Sequence, residues 1–87
     1  MENLGRNRKK IDRIDGKIIE FLAKRMAVSS KIGQFKKKRG LKIQDPSREK
    51  KMIEHRVLLA KNKGLSANFT RQIFNCIFMQ SRKEQDN

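Results

Sequence analysis

One arginine interrupts a row of apolar residues in the first half of the chain. The row has the alternating steps of three and four residues that are typical of a helix packing against a partner, and it consists of Ile11, Ile14, Ile18, Phe21, Val28, Ile32 and Phe35. Arg25 occupies the missing position. A guanidinium group leaves water at low cost only when it is paired, so Arg25 marks a candidate anion site. Two plainer explanations stay open, a side chain that reaches solvent and an ion pair with Glu49.

Lys36 and Arg8 extend the candidate site in opposite directions along the same helix. Lys36 has nearly the same angle around the helix as Arg25 and lies about 16 Å from it, so the two cations can hold a small dianion between them. Arg8 lies about 25 Å from Arg25 along the axis, too far for both to contact one ligand. An antiparallel second copy would bring its own Arg8 closer. Taken singly, Arg8 and Lys36 are better explained as solvated residues of RNRKK and KKKRG.

Five further polar residues are candidates, although each has a structural explanation of its own. In the segment DPSREK, Asp45 is a helix cap, Arg48 a surface residue of the first turn, and Glu49 a favourable charge at a helix N-terminus. Ser81 and Gln85 continue the inward face of the last helix into its final turns. Taken singly, none of the five requires a function.

The sequence offers little for covalent or metal chemistry. His55 has no cysteine or acid at metal-ligand spacing, and Cys76 stands among apolar residues, which predicts a core position. The chain has no glycine-rich phosphate loop, HExxH motif or serine nucleophile elbow.

These residues are positioned by three predicted helices in a single domain that spans residues 1–87. Residues 1–6 are expected to fray, and the helices are expected at about 7–39, 46–63 and 67–84. Capping residues mark the helix ends, because side-chain acceptors suit N-termini and glycine suits C-termini. They are Asn3 or Asn7, Gly40, Asp45 followed by Pro46, Gly64 and Ser66. Without strand-like alternation, the pattern predicts an all-α fold.

The first predicted helix is too long for its own chain to cover. It would extend about 48 Å, whereas a compact globule of this length has a radius of gyration of about 12 Å. A second copy of the chain is the simplest partner. On the third helix, Phe69, Ile73 and Ile77 are expected to face inward.

The composition favours anionic partners in a reducing compartment. The chain has 23 Lys and Arg against 9 Asp and Glu, a formal charge of +14, which suits nucleic acid, a membrane surface or a small polyanion. A single cysteine excludes an internal disulfide. No stretch approaches the roughly 20 apolar residues of a membrane span, and no signal peptide is recognisable. We therefore expect a cytoplasmic protein.

The combined motifs resemble the all-α, type II chorismate mutase family over roughly residues 7–85. The segments that carry the resemblance are KKIDRIDGKIIEFLAKR, KIGQFK, DPSREK and FTRQIFNCIFMQSRKEQ. The resemblance implies an intertwined homodimer of three-helix protomers, with two equivalent active sites that each use residues of both chains. It also implies rearrangement of chorismate to prephenate in phenylalanine and tyrosine biosynthesis, without a cofactor or metal.

The resemblance also assigns roles to the candidate residues. Arg25 and the Arg8 of the second copy would bind the two substrate carboxylates, while Lys36 and Gln85 would donate to the ether oxygen. The ring hydroxyl would meet Glu49 and the backbone around Asp45. Arg48 would support the carboxylate end of the site, and Ser81 would line the same pocket. Lys36, Gln85, Arg25 and Glu49 would thus be the catalytic residues.

Ser29 and Ser30 depart from the small apolar residues that are more usual at these positions in the family. They are expected either to loosen the dimer seam or to add a hydroxyl group near the pocket.

Two alternative functions compete with the mutase. An isochorismate pyruvate lyase of the same fold uses similar cations, but its pattern tends to lack the acid found here at Glu49. A basic helical module that binds nucleic acid would explain the charge. However, the five phenylalanines fit a core, and no tyrosine or tryptophan is available for stacking on bases.

Overall fold

The computed structural model describes residues 3–87 and contains three α-helices in this range. They are α1 (Leu4–Lys38), α2 (Pro46–Asn62) and α3 (Ala67–Asp86), which confirms the predicted all-α, three-helix protomer. α1 begins before residue 7 because the Asn3 side chain accepts a hydrogen bond from the Arg6 backbone N–H and caps the helix. Residues 4–6, which were expected to fray, are part of α1, and residues 1–2 lie outside the described range.

The other helix ends also follow their capping chemistry. Asp45 Oδ1 accepts from the Arg48 backbone N–H at 3.1 Å, and Ser66 Oγ accepts from Phe69 N–H at 3.1 Å. Gly40 and Gly64 have φ of +66° and +82°, a left-handed conformation that a side chain would strain. These four residues confirm the predicted turns and fix the directions in which α2 and α3 leave them.

α3 holds the protomer together, since it packs against both α1 and α2. The described chain measures 59 × 23 × 15 Å and has a radius of gyration of 16.3 Å, well above the roughly 12 Å of a compact globule of this length. None of the three described helices combines the length and apolar composition that a membrane span requires. The protomer is therefore elongated, with α1 as its long axis.

Little of the apolar surface is buried within one protomer. The buried apolar side chains in the described range are Val57, Ala60 and Phe78. By contrast, the seven apolar residues of the α1 row are 43–65% exposed. The chain does not cover its own longest helix, as its length led us to expect.

The inward face of α3 agrees with the expected one only in part. Ser81 is buried and Ile77 is half-buried, as expected, whereas Phe69 and Ile73 are exposed and Thr70 and Phe78 are buried instead. Cys76 is also exposed, so the prediction of a core cysteine is wrong. The helix is thus slightly rotated from the expected orientation, with Phe78 rather than Ile73 buried.

Gly33 is the point of closest approach between α1 and α3. A Cβ atom built on Gly33 would lie 2.2 Å from the Gln85 carbonyl oxygen and 2.4 Å from the Gln85 Cα. Backbone atoms cannot move aside as the end of a side chain can. The absence of a side chain at position 33 therefore sets the separation of the two helices beside Gln85.

Gly33→Ala should accordingly destabilise the protein by about 1–3 kcal/mol, the usual cost of overpacking a close contact. Thermal or urea unfolding measures the change. Gly16→Ala is the matched control, because a Cβ there meets nothing within 4 Å, and the substitution should be neutral or stabilising by up to about 1 kcal/mol in a helix interior. Equal stability of the two variants would show that α1 and α3 are not in tight contact at Gly33.

Candidate active site

A cavity of about 220 Å³ lies between the second half of α1, the loop after it, the start of α2 and the end of α3. The structure brings to this cavity all the predicted site residues except Arg8, namely Arg25, Lys36, Asp45, Arg48, Glu49, Ser81 and Gln85. The apolar part of the cavity lining consists of Ile32, Ile43, Met52 and Phe78. Residues separated by up to 60 positions thus share one pocket.

Arg25 is held at the base of the cavity by a serine pair. Its guanidinium donates a hydrogen bond to Ser81 Oγ and lies 5.4 Å from the centre of the Phe78 ring. Ser29 Oγ donates to the same Ser81 oxygen at 3.1 Å, and both serines are 6% exposed. The two donors use both lone pairs of Ser81 Oγ, and the Ser81 hydroxyl in turn donates to Met26 Sδ at 3.8 Å. Ser29 thus places a hydroxyl group at the pocket, one of the two outcomes expected for it.

The charge of Arg25 has no carboxylate partner among the described contacts. Burial lowers the pKa of Arg25 from its ordinary value, and the positive charge of Arg56 lowers it further. Both causes disfavour the charged guanidinium, and a bound anion would relieve both. The alternative ion pair between Arg25 and Glu49 is wrong, because Glu49 has a different partner.

Lys36 and Gln85 form a pair of donors on the opposite side of the cavity from Arg25. Lys36 Nζ donates to the Ile43 carbonyl oxygen at 3.0 Å and to Gln85 Oε1 at 3.2 Å. An ammonium group has three protons, so one remains free. Because the Gln85 oxygen faces Lys36, its amide nitrogen also keeps donors for a ligand. Lys37 Nζ donates to the Asp86 carbonyl oxygen at 2.8 Å and anchors this end of α3.

Glu49 belongs to an ion pair that joins α2 to α3. The Arg82 NH1 group donates to both carboxylate oxygens of Glu49, at 2.6 and 2.8 Å. The two side chains are 30% and 29% exposed, so the pair is partly shielded from water. Glu49 lines the cavity, and its two bonds to Arg82 restrict the orientation of its carboxylate.

Asp45 and Arg48 form the exposed rim of the cavity at the first turn of α2. Asp45 is held by its capping bond to the Arg48 backbone N–H, whereas the Arg48 side chain is exposed. Arg8 is exposed near the start of α1 and is not part of the lining. One chain therefore assembles every predicted site residue but this arginine.

Sequence reasoning missed Arg82 and Gly33 as contributors to the site. Gly33 stands four residues after Ser29 and eight after Arg25, on the same face of α1, and this spacing was a usable signal. Arg82 follows Ser81 directly, but nothing in the sequence relates it to Glu49. Within residues 3–87, no group of three or more His, Cys, Asp or Glu side chains is arranged to hold a metal ion.

Comparisons with known proteins agree on one family. The family model described as chorismate mutase type II matches residues 7–86. A chorismate mutase of Methanocaldococcus jannaschii is 32% identical over 85 residues, covering 98% of this chain and 86% of that protein. The T-protein of Haemophilus influenzae is 35% identical over 81 residues, which are 93% of this chain but only 22% of that protein.

The solved structures include a relative of the same size. A conserved hypothetical protein from Pyrococcus furiosus superposes with a TM-score of 0.76 at 34% identity, covering 94% of this chain and 93% of that one. Sequence and structure therefore coincide over nearly the whole chain, and the chain belongs to the chorismate mutase type II family.

Proposed function

We propose that the cavity between α1, α2 and α3 is the active site in which this chain converts chorismate to prephenate, a step of phenylalanine and tyrosine biosynthesis. The family determines the reaction, and the chain is a chorismate mutase. The observation that supports this site is the convergence of Arg25, Lys36, Glu49 and Gln85 on one pocket. Their chemistry suits a small dianion that carries an ether oxygen and a hydroxyl group.

The rearrangement requires no covalent or proton-transfer chemistry from the protein. It is intramolecular, breaking the ether C–O bond and forming a C–C bond without a nucleophile or proton transfer. An enzyme accelerates it by holding the flexible substrate in its reactive shape and by stabilising the negative charge that develops on the ether oxygen. The site therefore needs fixed cations and fixed donors at two places.

Arg25 is proposed to bind one substrate carboxylate. Its guanidinium is preorganised by Ser81 and Phe78, and a carboxylate would supply the anion that it lacks in the protomer. Arg48 at the rim and Arg8 of a second copy would bind the other carboxylate.

Lys36 and Gln85 are proposed to contact the ether oxygen. Each keeps a donor free while the bond between them fixes their separation. Donors that are already oriented need not reorganise as the C–O bond breaks, which is the main advantage of such a site over water. Glu49 is proposed to accept the ring hydroxyl together with the backbone around Asp45.

The active form is proposed to be an intertwined homodimer. The exposed apolar row of α1 supplies a long face for a second α1, and covering it would contribute about 25 cal/mol per Å² of apolar surface. The α1 helices would pair antiparallel, so that Arg8 of one protomer approaches the cavity of the other. We further propose a cytoplasmic location, which the free thiol of Cys76 supports.

Lys36→Ala and Gln85→Ala should each lower kcat by about 100- to 1000-fold, because each removes a donor aimed at the developing charge. The decrease in chorismate absorbance measures the rate, and conversion of the product to phenylpyruvate in acid identifies it. Lys38→Ala and Gln80→Ala are matched controls on the same helices, since these side chains are exposed and lie outside the cavity lining.

Full activity of Gln85→Ala would contradict the proposed contact with the ether oxygen. Release of pyruvate and salicylate from isochorismate by the wild-type protein, with chorismate untouched, would favour the lyase. An inactive wild type that binds DNA tightly at physiological salt would favour the nucleic-acid module.

Mixing two inactive variants tests the shared site. Arg8→Ala and Lys36→Ala, each nearly inactive alone, should recover roughly a quarter of wild-type activity after unfolding and refolding together, because half of the dimers are mixed and each mixed dimer has one intact site. Activity of the refolded mixture, normalised to wild type treated in the same way, is the measurement.

Mixing Lys36→Ala with Gln85→Ala is the control, because both residues belong to the cavity of one protomer. A mixed dimer would then hold one altered residue in each of its two sites, so no activity should return. Absence of recovery with Arg8→Ala, or a monomer in sedimentation, would contradict the shared site.

A further inference from the structure

The ion pair between Glu49 and Arg82 is unusual in its geometry and its place. A single nitrogen of Arg82 donates to both carboxylate oxygens, and the pair joins α2 to α3 beside the cavity. Glu49 lines the cavity, but Arg82 does not. Arg82 instead lines two shallow depressions behind Glu49, which it shares with Gln44.

We propose that Arg82 is a positioning residue that holds the Glu49 carboxylate for the substrate hydroxyl and offsets its negative charge. This inference rests on the proposed function of the cavity. Arg82 acts from behind Glu49 and does not itself touch the substrate.

The first part of the argument is geometric. A glutamate side chain has several rotatable bonds, and a free one loses conformational entropy when it meets a ligand. Bonds of 2.6 and 2.8 Å to Arg82 hold both oxygens before the substrate arrives. Each carboxylate oxygen has a second acceptor site, so Glu49 can still accept from a hydroxyl group on its cavity side.

The second part is electrostatic. The proposed substrate carries two negative charges, and an uncompensated Glu49 beside it would repel it at short range. The guanidinium of Arg82 is within hydrogen-bonding distance of that carboxylate and cancels most of its field. Glu49 can then accept a hydrogen bond while the cavity stays attractive to a dianion.

Arg82→Met should raise the KM for chorismate about tenfold with little change in kcat, because contacts that are equally strong in the ground state and the transition state change KM alone. Arg71→Met is the matched control, since it removes the same charge from an exposed position of α3 outside the cavity lining. Arg82→Lys keeps a cation near Glu49 and should give an intermediate KM.

The double variant separates positioning from a structural role. On a Glu49→Gln background, Arg82→Met should cause no further rise in KM, because no carboxylate is left to hold. A merely structural role would instead lower the melting temperature and kcat of Arg82→Met in both backgrounds. Circular dichroism of each variant reports its helical content.

The outcomes distinguish this inference from the proposed function. If the wild type converts chorismate but Arg82→Met has the kinetic constants of Arg71→Met, this inference is overturned and the proposed function stands. A rise in KM that persists on the Glu49→Gln background also overturns it. A wild type without mutase activity overturns both.

Discussion

The backbone contact between α1 and α3 at Gly33 determines most of the site. Because no side chain separates Gly33 from Gln85, the two helices lie side by side, and the turns on either side of the contact face each other. Ser29 is one turn before Gly33 and Ser81 one turn before Gln85, so the serines meet. Lys36 follows Gly33 by about one turn and meets Gln85. The register of one helix pair thus positions both ends of the proposed substrate site.

The second constraint is electrostatic. Three cations of the chain, Arg25, Lys36 and Arg48, line a cavity that contains only two acids, Asp45 and Glu49. Asp45 caps α2 and Glu49 is bound by Arg82, so neither acid neutralises Arg25. A charged group such as Arg25 that is partly desolvated and has no counterion stabilises the fold little. An arginine without a counterion suits a cavity in which an anionic ligand supplies the missing negative charge.

The helices and their ends were predictable from sequence because capping is local chemistry. Asp45, Ser66, Gly40 and Gly64 act through neighbouring backbone groups, and the sequence contains everything that determines them. Most of the site was predicted because the resemblance related distant positions to each other. From the residues alone, Arg25 was the only strong candidate.

The other features of the fold and of the cavity were not predictable because they depend on how the helices pack against each other. The rotation of α3 exposes Cys76 and buries Phe78, and hydrophobicity along one helix does not distinguish these two outcomes. The bond between Arg82 and Glu49 joins residues 33 positions apart, and each has several oppositely charged candidates in the chain. The Gly33 contact is a further example, since a glycine within a helix has no single structural meaning.

The cationic lining also has a consequence for the end of the catalytic cycle. Prephenate, like chorismate, carries two carboxylates, so a cavity that selects its ligand by charge retains the product as readily as it captures the substrate. The two molecules differ most at the former ether oxygen, which becomes a ketone oxygen and, in the proposed site, would face Lys36 and Gln85. Discrimination between them would then depend on that donor pair and on shape, and the departure of prephenate would compete with chemistry in setting the turnover rate.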